Sequence, residues 1–163
     1  MRNLNQYVIE RLKINKDIGP IKYNYQPKDY NELRSLLEQL LEERGPNADL
    51  NDIDVSQVTT FYNKDNDIGL FEKLDPHNIK IDKWDVSNVK SMGFMFYECK
   101  NFNCNLSKWN VRNVKNMRSM FYECENFDCD LSKWDVSNVT NITFMFNNCI
   151  SLKNKPSWYK NKI

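Results

Sequence analysis

Three tryptophans, Trp84, Trp109 and Trp134, return every 25 residues, and each opens the same cassette: WDVSNVKSMGFMFYEC, WNVRNVKNMRSMFYEC and WDVSNVTNITFMFNNC. A unit this short cannot enclose a core of its own, because its few apolar side chains do not offset the entropy of ordering its backbone. Neighbouring copies must share one interior, which makes this a stacked-repeat sequence. Stacks of this kind usually offer binding surfaces rather than catalytic pockets.

Aligned by number, the apolar positions form strict columns. Ile81, Leu106 and Leu131 make one; Val86, Val111 and Val136 another; Val89, Val114 and Val139 a third. Met92, Met117 and Ile142 follow, then Met95, Met120 and Met145, then Phe96, Phe121 and Phe146. Cys99, Cys124 and Cys149 come next, and Phe102, Phe127 and Leu152 close the unit. Within a copy, Trp109 and Val111 at i and i+2 predict a short strand, with Lys108, Asn110 and Arg112 on its other face. Met117, Met120, Phe121 and Cys124, at i, i+3, i+4 and i+7, predict about two turns of helix. Asn88, Asn113 and Asn138 lie between them, placed to hydrogen-bond backbone groups where the strand exits.

The repeat extends beyond the three clear copies. Leu50, Ile53, Val55, Val58 and Phe61 fit the columns of Leu106, Trp109, Val111, Val114 and Met117, so LNDIDVSQVTTF is a degenerate first copy. Leu70, Phe71 and Leu74 fit the columns of Met95, Phe96 and Cys99. The two registers differ by six residues, which places a projecting insertion within YNKDNDIG. Coils are thus expected to start near 50, 81, 106 and 131, with a truncated one from about 152 in which Leu152, Pro156 and Trp158 or Tyr159 form a lid. Residues 1–49 do not repeat and read as an N-terminal helical cap on a repeat domain spanning 50–163. Leu4, Tyr7, Val8 and Leu12 suggest one short helix. Asp29 and Glu32 form a capping box before Leu33, Leu36, Leu37, Leu40 and Leu41, an amphipathic helix that should end at Arg44-Gly45-Pro46.

The segments FNCNLSKWNVRNVKNMRSMFYEC and FDCDLSKWDVSNVTNITFMFNNC resemble the BspA-like leucine-rich repeat family, in the variant whose unit reads LSxWDVSNVxxMxxMFxxC. The resemblance covers residues 75–152 strongly and 50–74 weakly. Together with the columns it gives the expected fold: an α/β, leucine-rich-repeat-type, right-handed solenoid of about four coils, built of short parallel strands and short helices. It implies roles in protein binding, adhesion or host interaction, and no catalytic residues. Surface members carry an export signal and an anchor, and no such signal stands in MRNLNQYVIERLKINKD. No run approaches the ~20 apolar residues of a membrane span. The expected setting is therefore cytoplasmic, or a host-cell cytoplasm if the chain is phage-encoded.

Candidate chemistry is sparse. Cys99, Cys124 and Cys149 keep the repeat period and are expected as buried free thiols. Cys99-x4-Cys104 and Cys124-x4-Cys129 are spaced wider than ordinary zinc pairs. A Cys104–Cys129 disulfide is the alternative in an oxidising compartment. His77 is the sole histidine and falls in the Phe102 column, which makes it structural. Asp85 and Asp135 could offer carboxylates to calcium, but Asn110 interrupts their column and Lys83, Lys108 and Lys133 flank it, so a solvated face is expected. With four glycines there is no phosphate-binding loop. No enzyme activity, cofactor or metal is expected.

What varies within the strict repeat carries the functional reading. The middle copy replaces Asp-Val-Ser with Asn110-Val111-Arg112 and adds Lys115 and Arg118, gathering a basic surface with Lys108. Phe94 and Phe144 stand off the apolar stripe, with Tyr97 and Tyr122 one turn along. A net charge of +1 argues against nucleic-acid binding driven by bulk charge. These residues (Lys108, Asn110, Arg112, Lys115, Arg118, Phe94, Tyr97, Tyr122 and Phe144) are the candidate partner-binding set. The expectation is a non-enzymatic protein that binds a protein partner as a monomer or weak homodimer, with no membrane role. Two alternatives stand beside it: an intracellular or phage-type inhibitor of a host enzyme such as a nuclease, and a nucleic-acid binder using the basic patch.

Overall fold

The structure, a computed structural model, describes residues 23–160. Helix α1 spans Tyr30–Arg44. The Asp29 carboxylate accepts from the Glu32 N–H at 3.0 Å, satisfying one of the amides that a helix start leaves open. Glu32 reaches back to the Lys28 N–H, one residue beyond the position a capping box would use. Gly45, at φ 79°, ends the helix and donates to the Leu41 carbonyl at 2.9 Å. Leu33, Leu36, Leu37 and Leu40 are fully buried and Leu41 packs at the margin. The helix expected around Leu4, Tyr7, Val8 and Leu12 lies outside the described residues.

The copies themselves contain neither the strands nor the helices that their periodicity predicts. Besides α1, the described residues form an antiparallel pair, β1 (Tyr62–Asn63) with β2 (Ile68–Gly69), and one further turn of helix, α2 (Ser157–Lys160). The expected α/β right-handed solenoid of short parallel strands and short helices is therefore overturned. Each copy is instead a succession of tight turns, and the one sheet among the described residues is antiparallel.

Backbone conformation explains the failure of the helix reading. Phe94, Ser119 and Phe144 have φ of 50–59°, and Lys73, Glu98, Glu123 and Asn148 have φ of 56–64°. A left-handed residue inside a right-handed helix breaks its ladder. The local bonds run from i+3 to i: Met120 to Met117, Tyr122 to Ser119, Cys124 to Phe121. The intervening N–H groups leave the copy altogether. Those of Met92, Phe94, Phe96 and Glu98 donate to the carbonyls of Asn116, Arg118, Met120 and Tyr122 at 2.8–3.0 Å. Met117, Ser119, Phe121 and Glu123 repeat the pattern onto Asn141, Thr143, Met145 and Asn147. Inward side chains at i, i+3, i+4 and i+7 suit this chain of turns as well as they suit a helix, so spacing alone could not distinguish them.

The strand reading fails for a second reason. Side-chain oxygens of Asp54, Asp85, Asn110 and Asp135 each accept from the N–H two residues on, forming Asx turns. Trp109 and Val114 bond back to the carbonyls of Leu106 and Val111. Parallel pairing survives only as isolated bridges, notably Thr60–Ser91, Ser91–Asn116 and Asn116–Asn141.

Consecutive copies nevertheless lie in register, because each column makes the same contact with the copy before it. Trp84, Trp109 and Trp134 donate their indole N–H to the carbonyls of Leu50, Ile81 and Leu106 at 2.9–3.0 Å. Trp158 does the same to Leu131, standing in the tryptophan place of the truncated end. Asn88, Asn113 and Asn138 donate to the carbonyls of Ser56, Ser87 and Arg112, each at 2.8 Å. Phe71, Phe96, Phe121 and Phe146 stack at 5.2–5.7 Å with interplanar angles of 3–9°. Phe102 and Phe127 form a parallel column, within 3.9 and 4.2 Å of Phe96 and Phe121.

The ends differ from the middle. Leu50, Ile53, Val55, Val58 and Phe61 are buried, and the insertion after Phe61 is the β1–β2 hairpin, with residues 64–67 exposed at its tip. Gly69 closes the hairpin where a Cβ would lie 1.7 Å from the Phe94 carbonyl oxygen, so no other residue fits without backbone movement. The first copy's outward carbonyls are taken by α1. The Tyr30 hydroxyl donates to Ile68 at 3.3 Å, and the Arg34 guanidinium donates to Leu70 and Glu72 at 2.9 Å.

Two stability outcomes follow from these contacts. Trp109→Phe keeps an aromatic six-membered ring but loses the indole N–H, leaving the Ile81 carbonyl buried without its donor, and urea unfolding should show a loss of at least about 1–3 kcal/mol. Gly69→Ala should cost at least as much, about 1–3 kcal/mol from forced overpacking; an unchanged unfolding midpoint would contradict the close approach to Phe94.

Candidate functional site

The structure disperses the predicted basic and aromatic set. Arg118 sits over the Phe94 ring, with its guanidinium carbon 5.1 Å from the centroid. Phe94 also packs against Tyr62 of the hairpin, stacked at 5.8 Å, and against Tyr97 at 5.5 Å. Phe94 is therefore half-buried rather than presented. Tyr97 and Tyr122 stack on each other at 5.0 Å and are also half-buried. Desolvation, followed by the Glu98 carboxylate, raises the Tyr97 phenol to about 12. Arg112 is exposed and lies 3.8 Å from Asp135 of the next copy, which partly neutralises it. Asn110 is held in its Asx turn by the Arg112 N–H at 3.3 Å. Lys115 is exposed, while its carbonyl accepts from Thr140. Lys108 faces a groove lined by Asn78, Lys80, Asp82 and Asn105. Arg118 and Phe94 thus come together with Tyr62, and Lys108 belongs to a different groove.

Phe144 stands apart from this pattern. Its column holds Gly69, the covered Phe94 and the buried Ser119, yet Phe144 is 52% exposed. Ile150 is 75% exposed, and no other large apolar side chain among the described residues is exposed. Sequence reasoning missed Ile150, although a signal existed. Its column carries Lys100 and Glu125 in the preceding copies, which pair at 2.9 Å, and the last copy breaks that polar column with an isoleucine. Phe144 lines a groove of 380 Å³ with Thr140, Ile142, Thr143, Asn147 and Tyr159. Tyr159 is anchored edge-on against Phe146 at 5.1 Å, and Lys155 lies 5.4 Å over its outer face.

A larger groove of 470 Å³ runs along Asn103, Asn105, Asp128 and Asp130, beside Cys104, Cys129 and Lys133. Its polar side chains are occupied with the backbone: Asn105 and Asp130 accept from the N–H groups of Ser107 and Ser132, and Asn103 from Asp128. The carboxylate columns read as possible calcium ligands do the same work, which is why asparagine can replace aspartate at 110. His77 lies 3.4 Å from Asp75 at the half-exposed margin of the first copy. Among the described residues, no group of three His, Cys, Asp or Glu side chains is placed to hold a metal ion. Nor is any helix among them long and apolar enough to cross a membrane.

Turn-built copies joined side to side, with apolar residues conserved in kind at the inner columns and polar ones varying outside, define a tandem-repeat protein. The chain belongs to the family described as "Mycoplasma protein of unknown function, DUF285", whose model matches residues 31–160 and so includes α1 as well as the repeats. No curated protein and no solved structure matches it.

The five thiols are free and buried. Cys99, Cys124 and Cys149 donate to the carbonyls of Phe71, Phe96 and Phe121, one copy back, at 3.4, 3.0 and 2.8 Å. Cys129 instead accepts from the Leu106 N–H at 3.3 Å. Burial pushes all five thiols up, Cys104 to about 11 and Cys149 to about 12. A thiol held protonated in the fold but free to ionise near its ordinary value of 9 once unfolded binds more protons in the folded state. Its contribution to stability is intact below pH 9 and is lost as pH rises from there toward the folded value. Alkaline titration of urea stability should therefore fall steeply above pH 9, by up to about 1.4 kcal/mol per unit for each such thiol. Cys104→Ala should reduce that slope between pH 9 and 11; an unaltered slope would show that this thiol is not desolvated.

Proposed function

We propose that this chain is a non-enzymatic binding protein that recognises another protein through the exposed apolar side chains of its last full copy. The observation that carries this reading is the exposure of Phe144 and Ile150 at column positions where the other copies are covered, absent or charged. Isolated exposed apolar residues are ordinary, but a strict repeat that departs from its own pattern toward exposed apolar groups at one end presents an anchor for a partner. A relation to the BspA-like repeat proteins, through the shared LSxWDVSNV unit, belongs to the same reading. So does a reducing, cytoplasmic setting, which five unpaired cysteines fit. Inhibition of a host enzyme would be one outcome of such binding. The basic patch gives little to the nucleic-acid alternative, since Arg112 has a carboxylate neighbour and Arg118 covers an aromatic ring.

The test is affinity capture from the native host extract with the wild-type chain and two variants. Phe144→Ser with Ile150→Ser should leave unfolding within about 0.5 kcal/mol, as surface substitutions usually do, yet lose the captured protein. Arg112→Glu with Arg118→Glu should retain it. Capture unaffected by the apolar pair would refute the assigned surface. Binding of nucleic acid that weakens steeply with salt would favour the basic patch instead.

A further inference from the structure

The N–H groups that join the copies run out at the last one. The positions equivalent to Met117, Ser119, Phe121 and Glu123 are Ile142, Phe144, Phe146 and Asn148, and none of these four amides has an acceptor among the described residues. At the opposite end the complementary row of carbonyls, Ile68, Leu70 and Glu72, is closed by Tyr30 and Arg34. α2 packs its rings on Phe146 but offers no carbonyl to the open row. Among the described residues, one end of the repeat is thus finished by side chains of α1, and the other is left as a row of main-chain donors.

We propose that this edge receives an acidic segment of a partner protein, whose backbone carbonyls accept from the four amides while its carboxylates meet the lysines alongside. This rests on the protein-binding reading and specifies its mode, a main-chain pairing at an open edge. Three features choose the occupant. Unpaired amides call for carbonyls, which any polypeptide supplies at regular intervals. Residues 136–160 hold Lys153, Lys155 and Lys160, all exposed, and contain no aspartate or glutamate, so the last copy's own charges are all positive, while the Glu123 carboxylate of the preceding copy is engaged by the Asn148 side chain at 3.5 Å. Phe144 and Tyr159 provide an apolar wall beside the amides for side chains of the incoming segment. A second copy of the chain does not fit head to tail, because its matching carbonyls are already bonded to α1.

The probe is a phage-displayed library of random dodecapeptides selected on the full chain, with enriched peptides then synthesised and followed by amide hydrogen exchange in the NMR spectrum. In the free protein the amides of Ile142, Phe144, Phe146 and Asn148 should exchange far faster than those of Met117, Ser119, Phe121 and Glu123. Selected peptides should be rich in Asp and Glu and poor in Lys and Arg. They should slow exchange of the four edge amides by roughly tenfold or more, as amides gaining acceptors do. Lys153→Glu with Lys155→Glu should weaken them by at least about tenfold in Kd, a coupling of about 1.4 kcal/mol. The proposal is overturned if the four amides are already protected in the dilute free chain, or if sedimentation shows head-to-tail assembly through them. It also falls if the selected peptides show no acidic preference or leave those amides exchanging as before. Peptides that need Phe144 without protecting the amides would sink edge pairing yet leave the protein-binding reading standing. That reading depends on the separate capture experiment with the Phe144 and Ile150 variants.

Discussion

Everything in the repeat depends on a division of labour among backbone N–H groups. In each turn-forming segment, one set closes local i+3 turns and the alternating set donates to the next copy. A net hydrogen bond contributes only about 0.5–1.5 kcal/mol, but a buried amide left without a partner costs more. The second set therefore compels each copy to have a neighbour. The left-handed residues that make this alternation possible carry a conformational penalty of about 1–2 kcal/mol each outside glycine, and the cross-copy bonds and stacked rings offset it. No copy is stable by itself for this reason, and the same reason makes the ends of the array chemically special.

The two ends meet that demand differently. At the first copy, α1 supplies Tyr30 and Arg34 as donors to the open carbonyls, and its leucine face covers the apolar columns. At the last copy, Trp158 continues the indole column and Tyr159 covers Phe146, so the apolar interior is sealed while the row of amides meets no acceptor among the described residues. Main-chain donors, a last copy whose own charged residues from 136 to 160 are all lysines, and exposed Phe144 and Ile150 coincide at that end. The middle of the array, where the basic residues looked most distinctive in the sequence, is occupied with its own neighbours.

Much of the interior was legible from column identity. The buried Val, Met, Phe and Cys columns, the degenerate first copy around Leu50 to Phe61 and the insertion after it all follow from the 25-residue register. α1 was legible for a different reason, since Asp29, the leucine spacing and Gly45 are local signals. The secondary structure of the copies was not legible. Trp109 and Val111 alternate as a strand would, and Met117 to Cys124 space as a helix would. Asx turns and left-handed Ser119 and Glu123 place the same side chains inward by another route. The candidate site suffered likewise: Phe94 and Phe144 share a column, and only tertiary neighbours, Tyr62 of the hairpin and Arg118 of the next copy, make one covered and the other exposed.

The sequence by itself determined that identical units must associate, which side chains they hide, and which positions are free to vary. It did so because burial of apolar columns depends on composition and period alone. Tertiary structure decided the backbone path, the partners of the polar columns and the location of the open edge. Those depend on which neighbour each N–H reaches, and a hydrogen bond between Ser119 and Thr143 leaves no trace in the spacing of either.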